Sequence, residues 1–117
     1  MLFRSLPSLN ISGGTVKLTS DISTIGSQTY DDIVLAKSNT ANTLALSTDN
    51  ANITINGTIN DSADKVSSLS ADAGTATVIL GNSIGNIHRF NALTVTGGNI
   101  YILADILTGT KIGRAHV

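Results

Sequence analysis

The chain has no cysteine, tryptophan or glutamate and a single proline among its 117 residues. The absence of cysteine excludes a disulfide framework and thiolate metal sites. The absence of glutamate, together with abundant threonine, isoleucine and valine, disfavours helices and favours strands. An aromatic content of 3% is too low for an ordinary β-sandwich core, so aliphatic side chains must fill the interior.

The chain also lacks an excess of charge and a long hydrophobic run. Its formal net charge is −1, and its 7 Lys and Arg residues are scattered along the sequence. This distribution offers no electrostatic basis for binding nucleic acid or an anionic membrane. No apolar run approaches the roughly 20 residues that span a bilayer, and the N-terminal stretch is too short and broken for a signal peptide. We therefore expect no nucleic-acid partner and no membrane insertion by this segment.

The chain does contain a hydrophobic frame that recurs with one internal spacing, in a background where Thr, Ser and Asn form a third of the residues. Apolar residues alternate within the frame, so their side chains fall on one face of a strand. Small or polar residues follow, where the chain must bend. The four copies are Val16-x-Leu18-x-x-x-Ile22, Ile53-x-Ile55-x-x-x-Ile59, Val78-x-Leu80-x-x-x-Ile84 and Ile100-x-Ile102-x-x-x-Ile106.

Each frame follows a shorter alternating apolar pair, and these pairs begin at positions 9, 44, 69 and 93. A period in the low twenties is typical of a parallel β-helix, in which each strand pairs with the matching strand of the next coil. Residues 23–39, in the longer first interval, would form either an additional partial coil or a protruding loop, and we predict the coil. The pattern predicts an all-β fold, a right-handed parallel β-helix (β-solenoid) of about four coils, truncated here to a fragment.

The repeat divides the chain into a lead-in at residues 1–8, the β-solenoid at 9–110 and a tail at 111–117. The tail departs from the repeat and matches the translation of a common sequencing adapter, so we expect it to be non-native. An ungapped internal echo also aligns residues 9–22 with residues 93–106. The echo predicts that Gly13-Gly14 and Gly97-Gly98 lie at equivalent corners.

Three stretches carry a resemblance to a known family: GSQTYDDIV at 26–34, ITINGTI at 53–59 and NALTVTGG at 91–98. They resemble the strand repeats of haemagglutinin-like exoproteins, the filamentous-haemagglutinin-type adhesins and autotransporter passengers of Gram-negative bacteria. The resemblance covers roughly residues 8–110, although Asp32 stands where that family usually has Gly. It implies a β-helical stalk in a secreted or outer-membrane-associated surface protein, and a glycan or protein receptor on a host or neighbouring cell bound by the parent protein.

Few residues suggest a site with chemistry of its own. Asp31 and Asp32 would suit a polysaccharide-cleaving β-helix only with a second acidic cluster at a defined separation. Tyr30 and Tyr101 are the only plausible members of an aromatic row for binding glycans. His88, the only histidine before the tail, has no identifiable catalytic partner in the sequence.

Asp21 and Asp105 are predicted to occupy equivalent corners, where Thr58 and Ser83 fill the same slot in other coils. This pattern indicates that side-chain oxygens satisfy amides at bends, and it does not indicate a metal ladder. We therefore predict no catalytic, cofactor-binding or metal-binding residues and no cofactor.

The sequence thus predicts a structural stalk segment of a large bacterial adhesin, not an enzyme, whose coils stack on neighbouring coils of the same chain. The alternatives are a fragment of a carbohydrate-acting, pectin-lyase-like β-helix, which should show an acidic cleft, and a glycan-binding solenoid, which should show an outward aromatic row. Fold resemblance alone does not decide between these functions.

Overall fold

The computed structural model describes residues 7–36, 43–62, 68–87, 90–106 and 108–112, and at 90–91 and 108–112 it describes the main chain. These residues form eleven β-strands and no helix, which confirms the predicted all-β class. The strands are β1 (Leu9–Leu18), β2 (Ile22–Thr24), β3 (Gln28–Leu35), β4 (Thr43–Thr48), β5 (Ile53–Ile55), β6 (Ile59–Asp61), β7 (Ser68–Asp72), β8 (Thr77–Leu80), β9 (Phe90–Thr96), β10 (Asn99–Ile102) and β11 (Thr108–Ile112).

The strands form two sheets in which every pairing is parallel. Sheet I has the order β1-β3-β5-β8-β10, with β6 paired beside the second half of β3. Sheet II has the order β11-β9-β7-β4-β2. The chain therefore alternates between the sheets. We call each segment that runs through sheet II and then through sheet I a pass, and we use the same word for the first and last segments, in which one strand is described. The passes are residues 9–18, 22–35, 43–61, 68–84, 90–106 and 108–112.

The predicted alignment of the last three frames is confirmed by the register of sheet I. Ile53 lies opposite Val78, 25 residues on, and Val78 lies opposite Ile100. The second positions of the frames align in the same way, as do the closing isoleucines Ile59, Ile84 and Ile106 through single parallel bridges. Like side chains therefore stack directly on one another from pass to pass.

The alignment of the last three shorter apolar pairs is confirmed in sheet II, whereas the first pair is a correction, because Leu9 and Ile11 lie on β1 in sheet I opposite Gln28 and Tyr30. Leu44, Leu69 and Leu93 lie opposite one another on β4, β7 and β9. All three are at most 1% exposed, whereas the intervening side chains are half-buried or exposed. The alternation follows from the strand geometry, which turns successive side chains to opposite faces of the sheet.

The predicted extra coil is confirmed in the described part of residues 23–39. β2 occupies the edge of sheet II, and β3 lies between β1 and β5 in sheet I. This segment is therefore a full pass and not a protruding loop. Residues 37–42 lie outside the described residues.

The first frame, which begins at Val16, is a correction to the prediction. Val16 and Leu18 pair with Ile33 and Leu35, in the ladder that continues to β6, and Ile22 begins a strand of sheet II. The segment in register with Ile53 and Ile55 is instead Gln28 and Tyr30. The four-copy frame does not include Gln28 and Tyr30, because a glutamine and a tyrosine stand where later passes have aliphatic residues.

The internal echo predicts that the two Gly-Gly pairs lie at equivalent corners, and this prediction is wrong because the pairs lie at different places in the two sheets. Gly13 and Gly14 lie inside β1, at a register shift against β3, with φ angles of 88° and 128°. Gly97 and Gly98 lie instead between β9 and β10, where the chain crosses from sheet II to sheet I. Asp21 and Asp105 are likewise inequivalent, because Asp21 precedes a sheet II strand and Asp105 precedes the bridge at Ile106.

The inward side chains of both sheets form one apolar cluster, made almost wholly of Leu, Ile, Val and Ala with Tyr30 as its aromatic member. β11 reaches Ile112, so Lys111 and Ile112 of the predicted tail lie in a strand paired with β9, and residues 113–117 lie outside the described residues. No helix in the described part of the chain is long and apolar enough to cross a membrane.

Replacing Leu69 with Ala should lower the free energy of unfolding by about 2–5 kcal/mol, because it opens a cavity in a fully buried ladder. The neighbouring outward residue supplies a matched control, and Ser70→Ala should change stability by no more than about 0.5 kcal/mol. Urea denaturation followed by circular dichroism measures both. Equal effects for the two variants would contradict the placement of Leu69 in the core.

Candidate functional site

The two adjacent carboxylates, Asp31 and Asp32, lie inside β3 between Tyr30 and Ile33, where the alternation of buried and half-buried side chains is interrupted. Oδ2 of Asp31 accepts a hydrogen bond from the amide of Gly13 at 2.8 Å, in the preceding pass. Oδ1 of Asp32 accepts one from the amide of Thr58 at 2.8 Å, in the following pass. The pair therefore joins three successive passes, and each carboxylate is already engaged by a main-chain donor.

Gly57 shows how closely the next pass approaches the Asp32 carboxylate. A Cβ atom added to Gly57 would clash with Oδ1 of Asp32 and would lie within 2.6 Å of the main chain of Asp31 and Asp32. Only glycine fits this close approach of backbone to side chain. The glycine of the ITINGTI stretch is thus explained by the close approach of Asp31 and Asp32 in the preceding pass.

The Asp32 contact is one example of a pattern that runs through the molecule. Side-chain oxygens of Asp and Asn accept hydrogen bonds from amides that lie 24 to 27 residues later, in the next pass. The pairs are Asp21 with Ala45 (2.9 Å), Asp32 with Thr58 (2.8 Å), Asn50 with Thr75 (3.0 Å), Asn52 with Thr77 (3.0 Å) and Asn60 with Ile87 (2.9 Å). These bonds join each pass to the next through main-chain amides, two of which lie in strands (Ala45 in β4 and Thr77 in β8).

This pattern refines the predicted role of the corner residues. Oδ1 of Asp21 accepts a hydrogen bond from the amide of Ala45, which lies inside β4 of the next pass and not at a bend as expected. The described residues contain no group of three or more His, Asp or Glu side chains that could hold a metal ion. The arrangement is suited to holding neighbouring passes together.

A buried polar network connects the two sheets at Gln28, which is fully buried. Its Nε2 donates to the carbonyl oxygen of Ser47 at 2.7 Å and to Oγ1 of Thr24 at 3.1 Å. The hydroxyl of Tyr30 donates to Oε1 of Gln28 at 2.7 Å. Oγ1 of Thr24 in turn donates to the carbonyl oxygen of Gly26 at 2.7 Å, so both ends of the glutamine amide are satisfied.

The network explains the GSQTY stretch in physical terms. Gln28 and Tyr30 lie on one face of β3, in the ladder that later passes fill with Ile53 and Ile55. Burial raises the pKa of the Tyr30 phenol well above its ordinary value of 10.0, because the charged phenolate would lose its hydration. The phenol therefore remains a neutral donor to Gln28. Inspection of apolar spacing alone cannot find such a network, and the signal for it is the glutamine and tyrosine two residues apart.

The proposed aromatic row is wrong for Tyr30, which points into the core at 0% exposure. The outward row of sheet I, read through the register, is Asn10, Thr29, Thr54, Ile79 and Tyr101. Tyr101 is thus the single aromatic residue of this row, at 52% exposure. His88 lies outside the described residues.

A cleft of about 310 Å³ lies at the first pass. Its apolar lining consists of Ile11, Val16, Leu18 and Ile22, which are the inward residues of β1 and β2. Because both strands lie at sheet edges, the cleft is the open end of the core rather than an enclosed pocket.

Comparison with known proteins adds no relative to this picture. No protein-family model matches the chain, and no curated protein or solved structure matches it significantly.

The buried phenol predicts a loss of stability at alkaline pH. Above pH 10 the unfolded chain releases the Tyr30 proton while the folded chain retains it, so the free energy of unfolding falls as pH rises. Below pH 10 both states keep the proton and the contribution of Tyr30 is constant. Urea denaturation of the wild type and Tyr30→Phe between pH 8 and 11 measures this difference. The two curves should converge above pH 10, and parallel curves would contradict the assignment.

Removing the Asp32 carboxylate should weaken the contact between the second and third passes. We expect Asp32→Ala to lower the free energy of unfolding by about 1–3 kcal/mol, because the amide of Thr58 loses its acceptor. Asp49 is an exposed control, and Asp49→Ala should change stability by no more than about 0.5 kcal/mol. Hydrogen exchange at Thr58, followed by NMR, should accelerate in Asp32→Ala and remain unchanged in Asp49→Ala.

Proposed function

We propose that this chain is a segment of a rigid stalk in a large secreted or surface-exposed bacterial adhesin, and that it has no chemistry of its own. The observation that carries the proposal is the in-register stacking of successive passes, about 25 residues apart, in two parallel sheets. Such stacking converts sequence length into reach, because each further pass adds one strand spacing of about 4.8 Å.

The finer architecture that we propose is a right-handed parallel β-helix. Parallel strands joined by crossovers within one sheet are right-handed in nearly all proteins, because a twisted strand packs back onto its sheet in that sense. Three ladders support the helical path: sheet II, the first half of β3 with β5 and β8, and the second half of β3 with β6 and Ile84.

The polar contacts of the passes support a spacer over an enzyme. Asp31 and Asp32, which the carbohydrate-acting alternative would need as acids, are acceptors for the amides of Gly13 and Thr58. A general acid or base must exchange a proton with a substrate within hydrogen-bond reach. One of these carboxylates accepts from an amide of the preceding pass and the other from an amide of the following pass, so the pair is placed to fix the spacing of the passes.

The resemblance to haemagglutinin-like exoproteins supplies the cellular context of the proposal. The GSQTY stretch that carries it forms the buried network of Gln28 and Tyr30, so the stretch has a structural role. We propose that receptor binding, to a glycan or protein of a host or neighbouring cell, belongs to the parent protein. The outer-membrane-associated location is proposed on the same ground.

Duplication of one register period tests the spacer proposal. Two further copies of residues 53–77, inserted after Thr77, should fold as extra passes and lengthen the molecule by about 10 Å. Small-angle X-ray scattering at low protein concentration measures the length, and circular dichroism measures the melting temperature, which should not fall. An insert of the same composition in scrambled order is the matched control and should lower the melting temperature.

The alternatives give different results in binding and turnover assays. A carbohydrate-acting β-helix would depolymerise a polyuronide or another glycan, with loss of activity in Asp31→Asn or Asp32→Asn. A glycan-binding solenoid would bind a glycan array, with loss of binding in Tyr101→Ala. We expect neither activity from this chain, and either one, together with an unfolded duplication variant, would overturn the stalk proposal.

The genomic context tests the adhesin assignment separately. Recovery of the reading frame from the source DNA should show the repeat continuing past residue 110, with an export-recognition domain in the same frame. A frame that stops after Val117 without further repeats would contradict the assignment to a long adhesin.

A further inference from the structure

The chain contains one Asn-Gly pair, Asn56-Gly57, in the bend between β5 and β6. Asparagine is among the thermally labile residues of proteins, because the main-chain nitrogen of the following residue can attack its side-chain carbonyl carbon. A following glycine favours the attack most, since it has no side chain to obstruct the approach and its backbone adopts the widest range of angles. The pair is therefore a candidate site for a spontaneous chemical modification.

Asn56 is accessible to this reaction in the folded chain. Its side chain is exposed and makes no hydrogen bond within the described part of the chain. The attacking nitrogen, that of Gly57, is held by a long hydrogen bond of 3.3 Å to the carbonyl oxygen of Asp31. The amides on either side are held more closely, since Asn56 donates to the carbonyl oxygen of Tyr30 at 2.8 Å and Thr58 donates to Oδ1 of Asp32 at 2.8 Å. The weakest of three successive contacts thus lies at the nitrogen that must react.

Other asparagines at the bends are placed less favourably for the reaction. Asn50, Asn52 and Asn60 use Oδ1 to accept hydrogen bonds from amides of the next pass. Asn82 is also exposed, at the matching bend of the next pass, but the residue after it is Ser83. The serine side chain restricts the backbone angles that ring closure needs. Asn82 is therefore an internal control for Asn56.

The fold explains why a labile pair stands at this bend. A Cβ atom on Gly57 would lie within 2.6 Å of the main chain of Asp31 and Asp32, so a residue with a side chain does not fit at position 57. The close approach of the second and third passes therefore requires glycine directly after an exposed asparagine. The same contact that holds the two passes together makes the asparagine reactive.

We propose that Asn56 of the folded chain deamidates spontaneously, and that its isoaspartyl product loosens the contact between the second and third passes. The nitrogen of Gly57 bonds to Cγ of Asn56 and the Cγ–Nδ2 bond breaks. The proton of the Gly57 nitrogen passes through water to Nδ2, which leaves as ammonia. Water then opens the succinimide ring, either between the Gly57 nitrogen and the main-chain carbonyl carbon, which gives isoaspartate, or between that nitrogen and Cγ, which gives aspartate. The proposal does not depend on the assignment to an adhesin.

The two products differ in their effect on the main chain. Aspartate at position 56 adds a negative charge and leaves the main chain as it was. Isoaspartate routes the main chain through its own Cβ, which lengthens the path to Gly57 by one carbon atom. Because Gly57 already lies against the main chain of Asp31 and Asp32, the longer path displaces it. The hydrogen bonds that Gly57 and Thr58 donate to the second pass are then lost.

Incubation of the folded chain in heavy-oxygen water at neutral pH tests the modification. Each ring that opens takes up a heavy oxygen atom, which peptide mapping by mass spectrometry locates. The label should appear at residue 56 before it appears at Asn82 or at any other described asparagine. Asn56→Gln is the matched control, because its longer side chain keeps the amide but closes a ring far more slowly, and residue 56 should then stay unlabelled. Label that appears first at Asn82, or at residue 56 only after urea unfolds the chain, would overturn the proposal.

The separated products test the loosening of the passes. Isoaspartyl methyltransferase methylates isoaspartate and not aspartate, so it identifies the isoaspartyl fraction after chromatography. Hydrogen exchange at the Thr58 amide, followed by NMR, should be about two- to tenfold faster in that fraction, as expected for the loss of one hydrogen bond. Asn56→Asp carries the same charge on an unaltered main chain and should exchange at the wild-type rate. The amide of Thr77, which is bound to Asn52, should exchange equally in all samples. Equal exchange at Thr58 in the isoaspartyl fraction and in Asn56→Asp would overturn the loosening.

Discussion

The parallel hydrogen bonding between passes is the interaction on which the rest of the structure depends. The strands of one pass do not pair with each other; each finds its partners in the passes before and after it. An isolated pass would leave its strand amides and carbonyls unpaired and would have no apolar surface on which to stack. The separation of about 25 residues therefore determines which side chains meet, which bends coincide and which polar groups find partners.

The same constraint explains the placement of the polar side chains. Stacked bends bring a side-chain oxygen of one pass next to an amide of the following pass, as in the contact from Asn52 to Thr77. Short Asn and Asp side chains reach that amide without disturbing the strands. Glutamine occupies a core position at Gln28, where the longer side chain spans from β3 to Ser47 on β4 in the other sheet. Polar residues thus connect passes at the bends and connect sheets at one point in the core.

The sequence predicts the architecture well where the core is purely apolar. The frames that begin at Ile53, Val78 and Ile100 stand in register, since aliphatic alternation reports directly which side chains face inward. The second pass fails that rule because Gln28 and Tyr30 replace two aliphatic residues. It is also closer in sequence to the first pass than later passes are to one another, as Leu9 pairs with Gln28 only 19 residues on. Hydrophobic spacing alone therefore predicts that Val16 and Leu18 align with Ile53 and Ile55, whereas in the structure they align with Ile33 and Leu35.

The candidate site was harder to predict because its residue types serve structure and chemistry alike. Adjacent carboxylates beside a tyrosine match an acidic site in sequence, and no periodicity reveals which amides they meet in the structure. Asp31 turns to Gly13 in the preceding pass, and Asp32 turns to Thr58 in the following pass. Which amides they meet is decided by the register between passes, so the role of these carboxylates follows from the stacking and not from their spacing along the chain.

Stacking also makes the ends of the molecule different from its middle. Every interior pass covers the core of two neighbours, whereas a terminal pass leaves one side of its ladder and its apolar residues uncovered. The favourable contribution of the interior passes to the free energy of folding grows with each added pass. The unfavourable contribution of the two ends to that free energy stays constant. A chain with few passes is therefore dominated by its ends, which is visible here as the cleft beside Ile11 and the exposed Leu103. Further passes of the same kind are the structures that match such a face in hydrogen bonding, register and apolar surface.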